Sequence, residues 1–202
     1  MGDPVLKQTM IVIGPTGVGK STFCNVISGR DPTDNSIFPV SDSGESVINK
    51  TSGTEIEWRG SEGFPVTLID TPGLSDTSED DFKNISGMIK ELEKHSEIHV
   101  FVLTVNGTQL TFPKYFKDMI LIFQLCYGEQ FLNKNTIIEV TNWSFNEASI
   151  RRRDIDEETL KQRINDELKK LVSNDVLQNQ LEVLFVDALH NTGISRLVSS
   201  TS

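Results

Sequence analysis

Positive charge is in short supply in this chain. Nineteen Lys and Arg face 29 Asp and Glu, a net charge of −10 at pH 7. Nucleic acid demands a basic face, so that balance argues against a general nucleic-acid binder. A free nucleotide is not excluded, because local dipoles and one lysine can capture it on an acidic molecule. Cysteine is also scarce. Cys24 and Cys126 fall in expected helices, lack metal-ligand spacing, and read as buried thiols in a reducing cytosol. No stretch approaches the about 20 apolar residues that cross a bilayer, and no secretory leader is recognisable. Gly2 is present, but Leu6 stands where myristoylation expects Ser or Thr. The expected location is the cytoplasm, with a membrane's cytosolic face reached only through a C-terminal anchor beyond these residues.

What is present suits a soluble α/β protein: 202 residues, 37% hydrophobic and 24% charged, enough for a single domain over residues 1–202. Apolar runs fit buried strands at Met10–Ile13, Val66–Ile69, His99–Val105, Thr136–Val140 and Leu181–Val186. Helical spacing falls between them at Ser21–Ser28, Asp81–His95, Pro113–Tyr127 and Asp156–Ser173. Such alternation predicts a mostly parallel sheet with helices on both faces. Glu55–Trp58 alternates polar with apolar, and the Gly60–Gly63 turn returns the chain into Phe64–Asp70, predicting an antiparallel hairpin at one edge. Residues 29–51 are polar and loop-like, either a switch segment or a plain surface loop. After the last strand, Ile194, Leu197 and Val198 offer only a short amphipathic turn, as expected of a piece trimmed from a longer protein.

Residues 14–21 read Gly-Pro-Thr-Gly-Val-Gly-Lys-Ser, a complete phosphate-binding loop between an apolar strand and a helix. Its glycines permit positive φ, and its N–H groups converge on phosphate at a helix N-terminus. Lys20 is expected on the β- and γ-phosphates and the Ser21 hydroxyl on Mg²⁺. The nucleotide contacts expected here are Gly14, Gly17, Val18, Gly19, Lys20, Ser21 and Thr22. A second phosphate motif, Asp70-Thr71-Pro72-Gly73, closes the strand from Phe64. Asp70 is placed to hold a water of the Mg²⁺ shell, and the Gly73 N–H to bond a γ-phosphate whose departure releases the segment beyond.

With these motifs the chain resembles translation-factor-type GTPases, and more narrowly the septin-like, immunity-associated AIG-type (GIMAP) family. The narrower likeness rests on Gly29-Arg30, Phe38–Val47, Trp58 and above all the box His99–Thr111, which leads into a helix ending Cys126-Tyr127-Gly128-Glu129. It covers residues 9 to about 190. The resemblance implies a Ras-like P-loop GTPase fold, GTP or GDP with Mg²⁺ at the strand carboxyl ends, and a dimer or oligomer across the nucleotide face when GTP is bound.

Several positions depart from that pattern. Where the guanine-reading motif ends in Asp, Val140–Phe145 offers Ser144 instead. Asn142 then takes the position of the motif's lysine; in a register shifted by one, Trp143 does, either stacking on the purine or packing inside the protein. Asp187 is the candidate guanine reader by resemblance to chloroplast import GTPases, with Asn191 second; capping the last short helix is the other role open to Asp187. Leu74 stands where fast GTPases place Gln, so hydrolysis is expected to be slow. Thr16, usually Gly, is expected to crowd the γ-phosphate; Thr16, Lys20 and Gly73 are the candidate catalytic positions. For the switch-side Mg²⁺ ligand the choices are Ser41, Ser46 and Thr51, with Ile48 in the gapless register; Thr51 is favoured, and Ser41 is kept as a nucleotide contact. Arg151–Arg153 reads as a trans-acting arginine, an acidic-partner contact or, preferably, a solvated turn.

Two other classes stay open beside the switch: a P-loop kinase for a small molecule, and a non-catalytic scaffold that holds GDP or nothing.

Overall fold

The computed structural model describes residues 8–40, 51–58, 64–73, 80–109, 112, 114–128, 131–171, 177 and 180–187. In chain order they form β1 (Gln8–Ile13), α1 (Lys20–Ile27), β2 (Ser52–Glu57), β3 (Pro65–Asp70), α2 (Asp80–Leu92), β4 (Val100–Asn106), α3 (Lys114–Tyr127), α4 (Phe131–Asn135), β5 (Thr136–Thr141), α5 (Glu147–Arg152), α6 (Glu157–Leu171) and β6 (Glu182–Phe185). The sheet order is β2-β3-β1-β4-β5-β6. β1 runs parallel to β3 and β5 parallel to β6, while β2 pairs antiparallel with β3. The α/β sheet with an antiparallel edge strand is the one the hydrophobic pattern predicts.

Two compact units divide the chain, Met1–Val102 and Leu103–Ser202, and β4 contributes to both. In the first, Ile11, Val12 and Ile13 of β1 and Leu68 and Ile69 of β3 are almost fully buried. A strand covered on both faces has no polar alternation, which is why its sequence reads as a continuous apolar run. Phe23, Cys24 and Ile27 give α1 its buried side. The hairpin closes where the Trp58 N–H meets the Phe64 carbonyl at 3.0 Å, and the two rings meet edge to face at 6.5 Å.

Residues 29–40 are held to α1 by one side chain. Asn25 is fully buried, and its Nδ2 donates to the carbonyls of Asp34 (2.7 Å) and Phe38 (3.0 Å). The Phe38 ring is buried beside it. This part of the expected switch segment therefore has a fixed path; residues 41–50 lie outside the described residues.

In the second unit α3 buries Phe116, Met119, Ile120 and Phe123, a helical stripe, and α6 buries Leu160, Ile164 and Leu168. Cys126 corrects an expectation: it is exposed, in the last turn of α3 beyond that stripe, beside Leu125 at 85% exposure. Neither α4 nor α5 was expected. Each is too short to display a period, and α5 buries no residue at all.

Candidate functional site

The first unit gathers the phosphate motifs. Asp70 ends β3 and is the register partner of Val12 on β1 and of Ser52 on β2, so three strands bring their ends to one carboxylate. Between β1 and α1 the loop turns on Gly17 (φ 75°) and Gly19 (φ 102°), left-handed values that glycine reaches without strain. Gly19 is the N-cap of α1 and supplies no side-chain acceptor. The first N–H groups of the helix thus lack the usual Ser or Asp cap, which suits an anion as their partner. Gly14, Val18 and Lys20 are buried, Thr16, Gly19, Ser21 and Thr22 half-buried, and Gly17 exposed.

Lys20 Nζ donates to the Pro15 carbonyl at 2.8 Å, folding the side chain back along the loop. Thr71 Oγ1 donates to the Val12 carbonyl at 2.8 Å, which pins the second motif to β1. Gly73 then lies against the loop: a Cβ there would come within 2.7 Å of the Thr16 backbone nitrogen. What Thr16 stands against in this structure is Gly73.

Asp70 is the electrostatic centre of this unit. Burial pushes its carboxyl up to about 6, a rise opposed by the Lys20 charge, Ser21 and the Thr71 backbone. The Ser21 hydroxyl and the Thr71 N–H both act from nearby, but neither reaches hydrogen-bond geometry, and both buried carboxylate oxygens lack a donor among the described residues. The Thr51 hydroxyl is a second buried oxygen without a described partner, one residue before the strand partner of Asp70. An orphaned carboxylate beside an ammonium and a hydroxyl fits Mg²⁺, a hard cation that takes few protein ligands and completes its shell with water and phosphate. Consistent with so sparse a donor set, no cluster of three or more His, Cys, Asp or Glu that could hold a metal occurs among the described residues.

The second unit holds the loop after β5. The Gly107 N–H donates to the Thr141 carbonyl at 2.9 Å, and Thr141 Oγ1 to the Val105 carbonyl at 3.1 Å, tying the ends of β4 and β5 together. Trp143 is only 3% exposed. Its ring meets Phe185 at 5.1 Å, and the Arg153 guanidinium lies 3.8 Å from its centroid. Of its two sequence roles, packing is the one seen. Asn142 is exposed with φ 53°, Ser144 half-buried. Asp187 is 5% exposed and accepts the Phe145 N–H at 3.0 Å. Arg153 also corrects the solvated-turn reading, which holds only for the exposed Arg151 and Arg152 in the last turn of α5. Burial lowers the Arg153 pKa against the opposing charges of Glu157 and Asp187.

Ser41, Ser46, Ile48, Leu74 and Asn191 lie outside the described residues. Sequence reasoning missed Thr71 and Gly107 as fasteners of the two motifs. A threonine within Asp-Thr-Pro-Gly and a glycine ending the long box were the available signals.

The profile of the AIG1 family matches residues 8–184. The chain belongs to the AIG1 family. Solved structures agree on the fold of this AIG1 chain. One, described by the importance of dimerization for the GTPase activity of the chloroplast translocon components atToc33 and psToc159, matches at TM-score 0.69 and 19% identity, over 91% of this chain and 71% of its own. Toc33 from Arabidopsis thaliana in complex with GDP and Mg²⁺ matches at TM-score 0.59 and 18% identity, over 91% and 72%. A variant of Aquifex aeolicus Era bound to GDP and AlF4⁻ matches at TM-score 0.62 and 15% identity; the AIG1 chain is covered to 96% and spans 56% of Era's length. No curated protein matches in sequence. At such identities the likeness is one of architecture: the sheet is that of P-loop GTPases.

Proposed function

We propose that this chain is a guanine-nucleotide switch with slow GTP hydrolysis, which self-associates when GTP is bound and works in the cytoplasm. The observation that carries the reading is the buried Asp70 carboxylate, without a described donor, in the field of Lys20 and beside Ser21. A protein that buried such a carboxylate for structure alone would surround it with hydrogen-bond donors.

On this reading the N–H groups from Gly17 to Thr22 bind the phosphates, and Lys20 leaves the Pro15 carbonyl for the β- and γ-phosphates. Ser21 would ligate Mg²⁺ directly, Asp70 through water, and Thr51 from the switch side. Bound there, the ion would neutralise phosphate charge as the leaving group departs. Gly73, pressed on Thr16, would report the γ-phosphate by its N–H. Slow turnover follows from Leu74, which has no polar group to orient water. Self-association is carried over from what is said of atToc33 and psToc159.

Phosphate release from Mg·GTP, followed with and without small-molecule acceptors, tests the reading against a kinase. Light scattering with GDP and with a non-hydrolysable GTP analogue tests the association. The expected results are slow release indifferent to acceptor and a larger particle with the analogue. Transfer to an acceptor would make the chain a kinase, and binding without release or growth would leave a GDP-holding scaffold.

A further inference from the structure

The loop after β5 is fastened at two places, and what stands between them decides how a base is met. Trp143 is the first. Phe185 and Arg153 lie against its ring, and a Cβ on Gly107 would stand 3.0 Å from its Cε3 and 2.7 Å from Val140 Cγ1. Swinging the indole out to stack on a purine would break all these contacts. Phe145 is the second, through its N–H on Asp187 Oδ2. Asn142 remains exposed, and Ser144 Oγ accepts from Asn146 Nδ2 at 2.7 Å.

We infer that Asp187 is a positioning residue for this loop and does not itself read the base: its carboxylate holds the Phe145 backbone, and the base edge is left to Asn142 and Ser144. The inference rests on the nucleotide reading above and sharpens it. Asp187 is buried with one oxygen committed to a backbone N–H, a use that an amide oxygen can serve as well. Arg153 compensates the buried charge while covering Trp143.

An amide substitution separates the two roles. Guanine offers N1–H and a 2-amino donor to a carboxylate, whereas xanthine carries a 2-oxo acceptor that an amide can donate to. Replacing a true reader by Asn therefore turns preference from guanine toward xanthine. Replacing a positioning residue by Asn keeps an acceptor for Phe145 and leaves the preference alone.

The experiment is calorimetric titration of Mg·GTP and Mg·XTP into wild type, Asp187→Ala and Asp187→Asn. We expect Asp187→Ala to bind GTP about tenfold more weakly, and Asp187→Asn to restore that affinity with the wild-type GTP-over-XTP ratio. A turn toward XTP in Asp187→Asn overturns the inference, as does wild-type GTP affinity in Asp187→Ala or equal losses in both variants. Should Asp187→Ala fold poorly, the GTP-to-XTP ratio of Asp187→Asn decides alone. Wild type that binds neither nucleotide overturns the nucleotide reading and this inference with it, whereas a turn toward XTP overturns this inference only.

Discussion

Gly73 and Thr16 touch backbone to backbone: a Cβ on Gly73 would stand 2.4 Å from Thr16 Cα and 2.3 Å from its Oγ1. The end of the second phosphate motif thus rests on the first, with space for hydrogen and nothing larger. Gly73→Ala must push the loop away, at a cost of about 1–3 kcal/mol for overpacking. Nucleotide affinity should fall with it, because the loop's N–H groups lose their aim. Thr16→Gly should not rescue the variant, since the Thr16 backbone remains in the way. Denaturant melts and GTP titrations of the single and double variants check this; recovery in the double variant would place the conflict in the Thr16 side chain alone.

Asn25 makes a separate prediction. Its amide donates to the Asp34 and Phe38 carbonyls from a fully buried position. Asn25→Ala should cost about 1–3 kcal/mol by stranding those acceptors. Asn25→Asp should cost more, because it turns a carboxylate toward carbonyl oxygens. Urea denaturation ranks the two, and equal losses would mean that filling the space matters more than donating.

Gly87 runs the other way. It lies within α2, and a Cβ there meets nothing within 4 Å. Gly87→Ala should therefore stabilise the chain by about 0.5–1 kcal/mol through backbone entropy. A lower melting temperature would show that this glycine is needed for something else.

These cases mark what the sequence could and could not disclose. The phosphate loop's strand-to-helix setting, the strand carrying Asp70 and the antiparallel edge hairpin are local patterns, each dictated by a few consecutive residues, and the structure has them where the pattern puts them. Asn25 hid in plain view, because its partners lie downstream in a loop without periodicity. Trp143 is ambiguous in sequence for the same reason: the Phe185 ring that it meets comes from another strand, and the Arg153 guanidinium over it from beyond α5. Nothing in the sequence around Asp187 announces its bond to the Phe145 N–H, forty-two positions away. Cys126 was misjudged since helical spacing does not say how far a buried stripe extends.

Asp70 makes stability depend on pH. Its folded pKa is about 6 against an ordinary 3.8, so between those values the folded state holds a proton that the unfolded state has released. The stabilisation this proton provides is complete below pH 3.8 and is lost as pH rises through about 6. The shift corresponds to roughly 3 kcal/mol. Without Mg²⁺, Asp70→Asn should therefore gain on wild type as pH rises from 4 to 7.5, and stop gaining above about 7. Paired denaturation curves along that range measure the difference; a gap independent of pH would mean that Asp70 is not desolvated.

Lys20 carries the central claim, that the first unit holds a nucleotide's phosphates. Calorimetry of Mg·GTP and Mg·ATP with wild type and Lys20→Ala tests it most directly, with circular dichroism confirming that both proteins are folded. The account predicts saturable GTP binding by wild type, weaker ATP binding, and no detectable heat for Lys20→Ala. Equal GTP binding by the folded Lys20→Ala protein, or silence of wild type toward both nucleotides, would contradict it.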